Sequence, residues 1–254
     1  QIFSDGTTLG IQNREAGNTT FETNGSERMR IDSSGRLLVG KSASKASDGE
    51  NTAITQFEKT GSCMVDIAAN GTNSANHYAA LNLIRSDGTS VNSHTAVDSG
   101  DTIGRLAWIG ADGSDRFNSC AAIHVSAASD FTANNCPANL IFSTNPGGAT
   151  PSERMRITSS GQVGIGTSSP ISTLHLHEAG ASGSPIIQFS NGDTGATSGD
   201  GFAIGVADNE SPFIYNRENT ALRFAINNTE SMRLRATTGG LMIAEDGTNR
   251  IGEP

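Results

Sequence analysis

The stretch SERMRI stands at Ser26–Ile31 and again, letter for letter, at Ser152–Ile157, and a looser copy, TESMRL, runs from Thr229 to Leu234. A catalytic motif rarely needs copies at three places in one chain, whereas a structural unit built repeatedly does. The flanks extend the likeness. DSSGRLLVG (Asp32–Gly40) aligns without gaps to TSSGQVGIG (Thr158–Gly166), and the third copy continues RATTGGLMI (Arg235–Ile243), which fits only with a slip near the glycines. TFETN (Thr20–Asn24) precedes the first copy and LIFSTN (Leu140–Asn145) the second. The two ends of the chain also match without a gap. IQNREAGNTTFETNGSERMRI (Ile11–Ile31) aligns with IYNRENTALRFAINNTESMRL (Ile214–Leu234), pairing Asn13 with Asn216, Arg14 with Arg217, Glu15 with Glu218, Phe21 with Phe224 and Met29 with Met232. This predicts an array of modules: residues 1–40 the C-terminal part of a short-type module, 41–166 a long β module, 167–245 a short β module, and 246–254 the start of a further segment or a terminus.

Alternation along the motif sets its faces. Glu27, Met29 and Ile31 are expected on one face and Arg28 and Arg30 on the other, with the same division for Glu153, Met155 and Ile157 against Arg154 and Arg156, and for Met232 and Leu234 against Arg233. The SSG that follows (Ser159–Gly161 in the second copy) is a turn signal, so the motif and its tail, QVGIG, read as a hairpin with one apolar face. Leu140 and Phe142 mark the preceding strand. Similar short runs occur at Ile54–Phe57, Cys63–Ile67, Ile103–Ile109, Ala121–Val125, Ile186–Phe189, Phe202–Val206 and Leu222–Ile226, separated by polar, Gly-rich turns. No stretch shows a capped helical period. The fold class is therefore all-β, built of elongated, repetitive β-hairpin and β-strand modules. A lone hairpin is marginal in water and its free edges invite aggregation. Units this long and unequal do not suit a regular solenoid, which favours three copies winding about an axis into an intertwined homotrimeric fibre.

Composition agrees. Hydrophobic residues make up 35% of the 254, aromatics 5% and charged residues 17%, all low for a packed globular core. Gly numbers 30, and Ser, Thr and Asn together fill about 30% of the chain, which favours turns and strands over helices. The low charged fraction and regular apolar clusters argue against disorder. A net charge of −9 disfavours nucleic acid and anionic membranes as partners. No apolar run has the length of a transmembrane helix, and the N-terminus does not read as a signal peptide. Gln1 in place of Met suggests a cut N-terminal end. The three lysines, Lys41, Lys45 and Lys59, fall in one stretch, so arginine carries most of the positive charge. Cys63, Cys120 and Cys136 have no metal-ligand spacing and read as small, buried or half-buried thiols from a reducing cytoplasm.

SERMRIDSSGRLLVG, SERMRITSSGQVGIGTSSPISTLHLHEAG and GADGSDRFNSCAAIHV…ANLIFSTNPGGATPSERMRI resemble the repeated shaft modules of bacteriophage tail fibres, some of which carry a C-terminal intramolecular chaperone of the endosialidase type. The resemblance covers most of residues 11–245, and its specific element is the combination ERMRI–SSG–GIGT–SP. It implies a homotrimeric, elongated β-structured virion protein, assembled in the host bacterial cytoplasm, that presents or forms a host-attachment fibre. The implied partners are its own copies, other phage tail or virion proteins, and a host surface glycan or protein receptor. No chaperone-like stretch is visible up to Pro254. Two other roles fit the same phrases: the non-catalytic portion of a glycan-degrading tailspike, and a fibre decorating the capsid or portal.

A few stretches offer sharper sites beside these structural roles. LHLHE (Leu174–Glu178) puts His175 and His177 on one strand face, and in a threefold fibre such a pair could offer six imidazoles to one ion. Leu174 and Leu176 on the opposite face are the better candidates for an axis, so no metal or other cofactor is expected. GADGSD (Gly110–Asp115) lacks the carboxylate ladder of a calcium loop and reads as a turn. A glycan hydrolase needs two carboxylates across a cleft. Asp98, Asp101 and Glu210 sit in turn-like contexts, and Trp108, the one tryptophan, alternates with Leu106 as a core residue would. No phosphate loop, dinucleotide fingerprint or nucleophile elbow occurs, so the chain is not expected to be an enzyme. Asn-x-Ser/Thr patterns at Asn24 and Asn70 arise by chance in so polar a chain. The motif arginines are expected to pair with acids of neighbouring strands or chains near Glu27 and its equivalents, fixing register more than adding stability.

Overall fold

The computed structural model describes residues 2–4, 9–11, 13, 17–43, 55–58, 60–69, 78–90, 92–148, 150–180, 183–234 and 241–243. Arg14, Glu15, Lys45, Ile54, Lys59, Asn70, Arg235 and the segment 246–254 lie outside the described residues. The fold is all-β: among the described residues no helix forms. The chain divides into two compact units, Gln1–Arg154 and Met155–Pro254.

In the first unit, β1 (Ile2–Ser4) and β2 (Leu9–Ile11) form an antiparallel pair. β3 (Thr19–Thr23), β4 (Ser26–Ile31), β5 (Leu37–Val39) and β6 (Thr55–Phe57) follow in one sheet. The third group is β7 (Thr102–Ile109), β8 (Ser119–Ala127) and β9 (Ala138–Thr144), paired antiparallel in that order. The unit boundary falls inside β10 (Ser152–Ile157), which pairs antiparallel with β11 (Val163–Ile165). β12 (Leu174–Leu176) then joins β11 in parallel. The second unit continues with β13 (Ile186–Phe189), β14 (Phe202–Val206) and β15 (Pro212–Asn216), all antiparallel. It closes with β16 (Leu222–Ile226), β17 (Thr229–Leu234) and β18 (Leu241–Ile243). Every pairing joins strands that are neighbours in sequence.

The motif hairpins form where their turn residues direct. The SSG turn closes in both full copies, with Gly35 N–H on Asp32 O at 2.9 Å and Gly161 N–H on Thr158 O at 2.9 Å. Each glycine takes a positive φ, 78° and 84°, that a side chain would strain. Upstream, Asn24 and Gly25 both have positive φ, as do Asn227 and Asn228, which is the two-residue hairpin geometry whose twist matches the flanking strands. The hairpins β3–β4 and β16–β17 share their register to the residue: Phe21 faces Met29 and Phe224 faces Met232.

Four expectations are corrected. Cys63, Cys120 and Cys136 are all exposed rather than buried, since little of the described chain packs over them. Cys63–Ile67 is extended but forms no strand, because no described backbone pairs with it. Trp108 is 54% exposed, so it is not a core residue of this chain. The tail of the motif is more than a hairpin, since a parallel strand follows β5 and another follows β11. The second crossover passes over the buried Gly164, where an added Cβ would lie 2.5 Å from Thr167 O.

Candidate interaction surface

Within the motif, one extra residue redistributes the side chains. Phe21 pairs with Met29 and Glu22 with Glu27, leaving Arg28 as a bulge. A bulge shifts the alternation by one, so Glu27 leaves the Met29–Ile31 face and joins Arg30. There the two form an ion pair, with Arg30 Nε 2.6 Å from Glu27 Oε1. The same irregularity between Phe224 and Ala225 puts Glu230 beside Arg233 and within 3.6 Å of Arg223. The acid is the expected one, but the partner is on the same strand. The bulged Arg28 donates to Thr23 Oγ1 at 2.7 Å, and Arg154 of the second copy donates to Thr144 Oγ1 at 3.0 Å.

With charge drawn to one face of the motif hairpins, the other face is apolar, and several sheets carry such a face with exposed side chains among the described residues. In β3–β6 the register aligns Phe21, Met29, Ile31, Leu37, Val39 and Phe57 on it, and Phe21, Ile31 and Phe57 are exposed. The opposite face carries Leu38, which is 0% exposed and stands directly across from Arg30. In β10–β12 the open face holds Met155, Ile157, Val163, Ile165, Leu174 and Leu176, with Ile165 and Leu174 exposed. In β13–β15 it holds Ile187, Phe189, Phe202, Ile204, Val206 and Ile214. The centre of the opposite face is covered by the chain itself, since Gln188 Nε2 donates to Thr197 O and Asp200 O at 2.9 Å each and Ala203 is fully buried, while Ile186 and Tyr215 on that face are exposed. In β16–β18, Phe224, Ile226 and Leu234 are likewise exposed.

The β7–β9 group has such a face too, with Leu106, Trp108, Ile123, Val125, Leu140 and Phe142 on it and Leu106 and Trp108 exposed. One end is partly covered by the extended stretch 78–86. Leu83 sits over Gly104, where an added Cβ would be only 2.6 Å from the Leu83 Cβ. Arg85 ties the stretch down through Asp101 at 2.7 Å, Asp87 at 2.9 Å and Thr102 O at 3.1 Å. A Gly104→Ala substitution is expected to lift Leu83 from the sheet and cost about 1–3 kcal/mol, measurable by urea denaturation. An unchanged midpoint would refute that contact.

No family model matches the sequence, and no curated protein matches it. Two solved structures are similar to it in part. One is the carboxy-terminal domain of the bacteriophage T5 L-shaped tail fibre, 13% identical over 68% of this chain and 79% of that one, with a TM-score of 0.48. The other is the same domain with its intramolecular chaperone domain, at the same identity and TM-score, of which this chain spans 55%.

The structure places the remaining candidate residues individually. His175 and His177 lie 6.0 Å apart between ring centroids. His175 is opposite Gly164, on the side away from the open apolar face, and its buried Nδ1 has no partner among the described residues. No group of three metal-ligating side chains occurs among the described residues. Asp112 accepts from Ser114 and Asp115 N–H at 2.8 and 3.0 Å and from the Asn118 amide, which makes GADGSD a self-satisfied turn. Of the carboxylates considered for catalysis, Asp101 is ion-paired to Arg85 and Glu210 lies at a turn with φ 67°. Sequence reasoning missed the strap over Gly104, whose signal was a lone glycine inside a strand run.

Several carboxylates are held ionised below their ordinary range. The Arg30 guanidinium lowers Glu27, the Arg36 N–H lowers Asp32, and the Thr197 N–H lowers Asp200. A depressed folded-state value adds stability above the unfolded value, lost as pH falls through the folded one. Thermal stability is therefore expected to hold from neutral pH to about 5 and to decline below about 4. A melting temperature unchanged between pH 6 and pH 3 would contradict this.

Proposed function

We propose that the chain is a structural subunit of a virion appendage, a bacteriophage tail fibre, in which three copies wind together and present or form the host-attachment end. The observation that carries this reading is the open apolar face on the sheets of both units. Among the described residues only six apolar side chains are buried, three of them alanines, while twenty-six large ones are exposed. A lone chain with such faces would aggregate, and closed symmetry covers them. Burying the exposed half of a Phe, Ile or Leu contributes about 1 kcal/mol, so faces of this size supply a substantial drive to associate. The resemblance of ERMRI–SSG, present in two full copies, and of the GIGT–SP that follows the second copy supports the fibre reading, in which the modules 41–166 and 167–245 are shaft units. The partners in this reading are further copies, other virion proteins and a host surface receptor, and the location is the virion. No catalytic role is assigned.

Sedimentation equilibrium of the purified chain tests the reading. Three times the 26.3 kDa chain mass is the expected result, and a stable monomer would overturn it. Antibody labelling of whole particles in the electron microscope is expected to mark the tail, whereas label on the capsid would reassign the fibre.

A further inference from the structure

We infer that Gly61–Ala69 and Tyr78–Arg85 are intermolecular strands, each completing a sheet with a second copy of this chain. The inference rests on the assembly reading above and says which backbone crosses between copies. Both stretches have strand-like composition: CMVDI and YAALNLI are short apolar runs broken only by Asp66 and Asn82, unlike the polar turns around them. Both are extended, yet neither backbone donates to nor accepts from any other described backbone group. Their apolar side chains stand in water on either side, with Met64 82% and Ile84 87% exposed. A β-forming stretch whose backbone is unpaired among the described residues, with its apolar side chains largely in water, is an open edge that a second strand would pair and cover.

The occupant is a copy of the same chain for three reasons. The second stretch is already fastened over the apolar face of β7–β9 by Leu83 and Arg85, so a strand added along it also covers Leu106 and Trp108. That is continuous with the surface the assembly buries. The two stretches carry only Asp66 and Arg85, and Arg85 is neutralised within its own chain by Asp87 and Asp101, so like stretches meet without charge repulsion. In a closed homo-oligomer every donated stretch finds an equivalent acceptor, leaving none unpaired.

Hydrogen–deuterium exchange of the full chain in its assembled state tests this, with sedimentation run on the same sample. The expected result is at least 100-fold slower exchange in 61–69 and 78–85 than in unstructured peptide, lost on dissociation. If the chain assembles while these amides exchange freely, the inference fails and the assembly reading stands. A monomer overturns both. Protection that arises only when another virion protein is added also overturns the inference, assigning the stretches to that protein. Val65→Pro and Leu81→Pro remove one N–H each from backbone that makes no bond to any described residue of its own chain. They are expected to weaken association at least tenfold while leaving the far-UV spectrum of the separated chain unchanged. Wild-type association by both variants would refute the proposal.

Discussion

Replacing Gly166 with alanine is expected to destabilise the second motif by about 3 kcal/mol. Two costs add. Gly166 has φ 75°, a left-handed conformation in which a side chain costs about 1–2 kcal/mol. Its new Cβ would also lie 1.9 Å from the carbonyl oxygen of His177. That carbonyl belongs to the residue whose N–H donates to Ile165 O at 2.9 Å, so relief of the clash pulls the parallel strand β12 from β11. Gly40, the aligned residue of the first copy, repeats the geometry with φ 75° and Glu58 O at 2.0 Å, and Gly40→Ala is expected to cost as much. Gly161 separates the two costs: it has φ 84° but nothing within 4 Å of an added Cβ. Gly161→Ala should lose only the conformational part, about 1 kcal/mol. Denaturant unfolding of the three variants decides the matter, and equal losses for Gly166→Ala and Gly161→Ala would defeat the clash argument.

Leu38→Ala carries the second large effect, an expected loss of about 2–4 kcal/mol. Leu38 is the largest fully buried side chain among the described residues, and a truncated leucine leaves both lost transfer energy and a cavity. Its aligned residue in the second motif is Gly164, where the loop through Thr167 and Pro170 occupies the corresponding space. The two copies fill one position by different means, side chain in one and backbone in the other. Met29→Ala, on the open face, should by contrast cost the separated chain little and the assembly more. A loss below about 1 kcal/mol for Leu38→Ala would show that the covered face of this sheet is not its core.

The individual strands were legible because alternation and turn residues are local. Ile186–Phe189, Phe202–Val206 and Leu222–Ile226 have the ends that the sequence pattern predicts, and both SSG turns close as their glycines require. The bulge at Arg28 was not legible. Nothing in SERMRI announces an unpaired residue, since the extra residue is defined by the partner strand, and its effect is to move Glu27 across the sheet. The parallel additions of β6 and β12 escaped for a related reason: a parallel partner leaves no turn signature. Trp108 and Cys63–Ile67 mark a different limit. Alternation reports that a residue is suited to burial, not whether its own chain supplies the cover.

Because each strand pairs with a neighbour in sequence, damage in this molecule has a short reach. Within one copy a local tear passes first to the strand next in sequence, since none of the described pairings joins strands distant in the chain. Whatever ties distant parts of the molecule together must then come from contacts other than the ladders of a single chain.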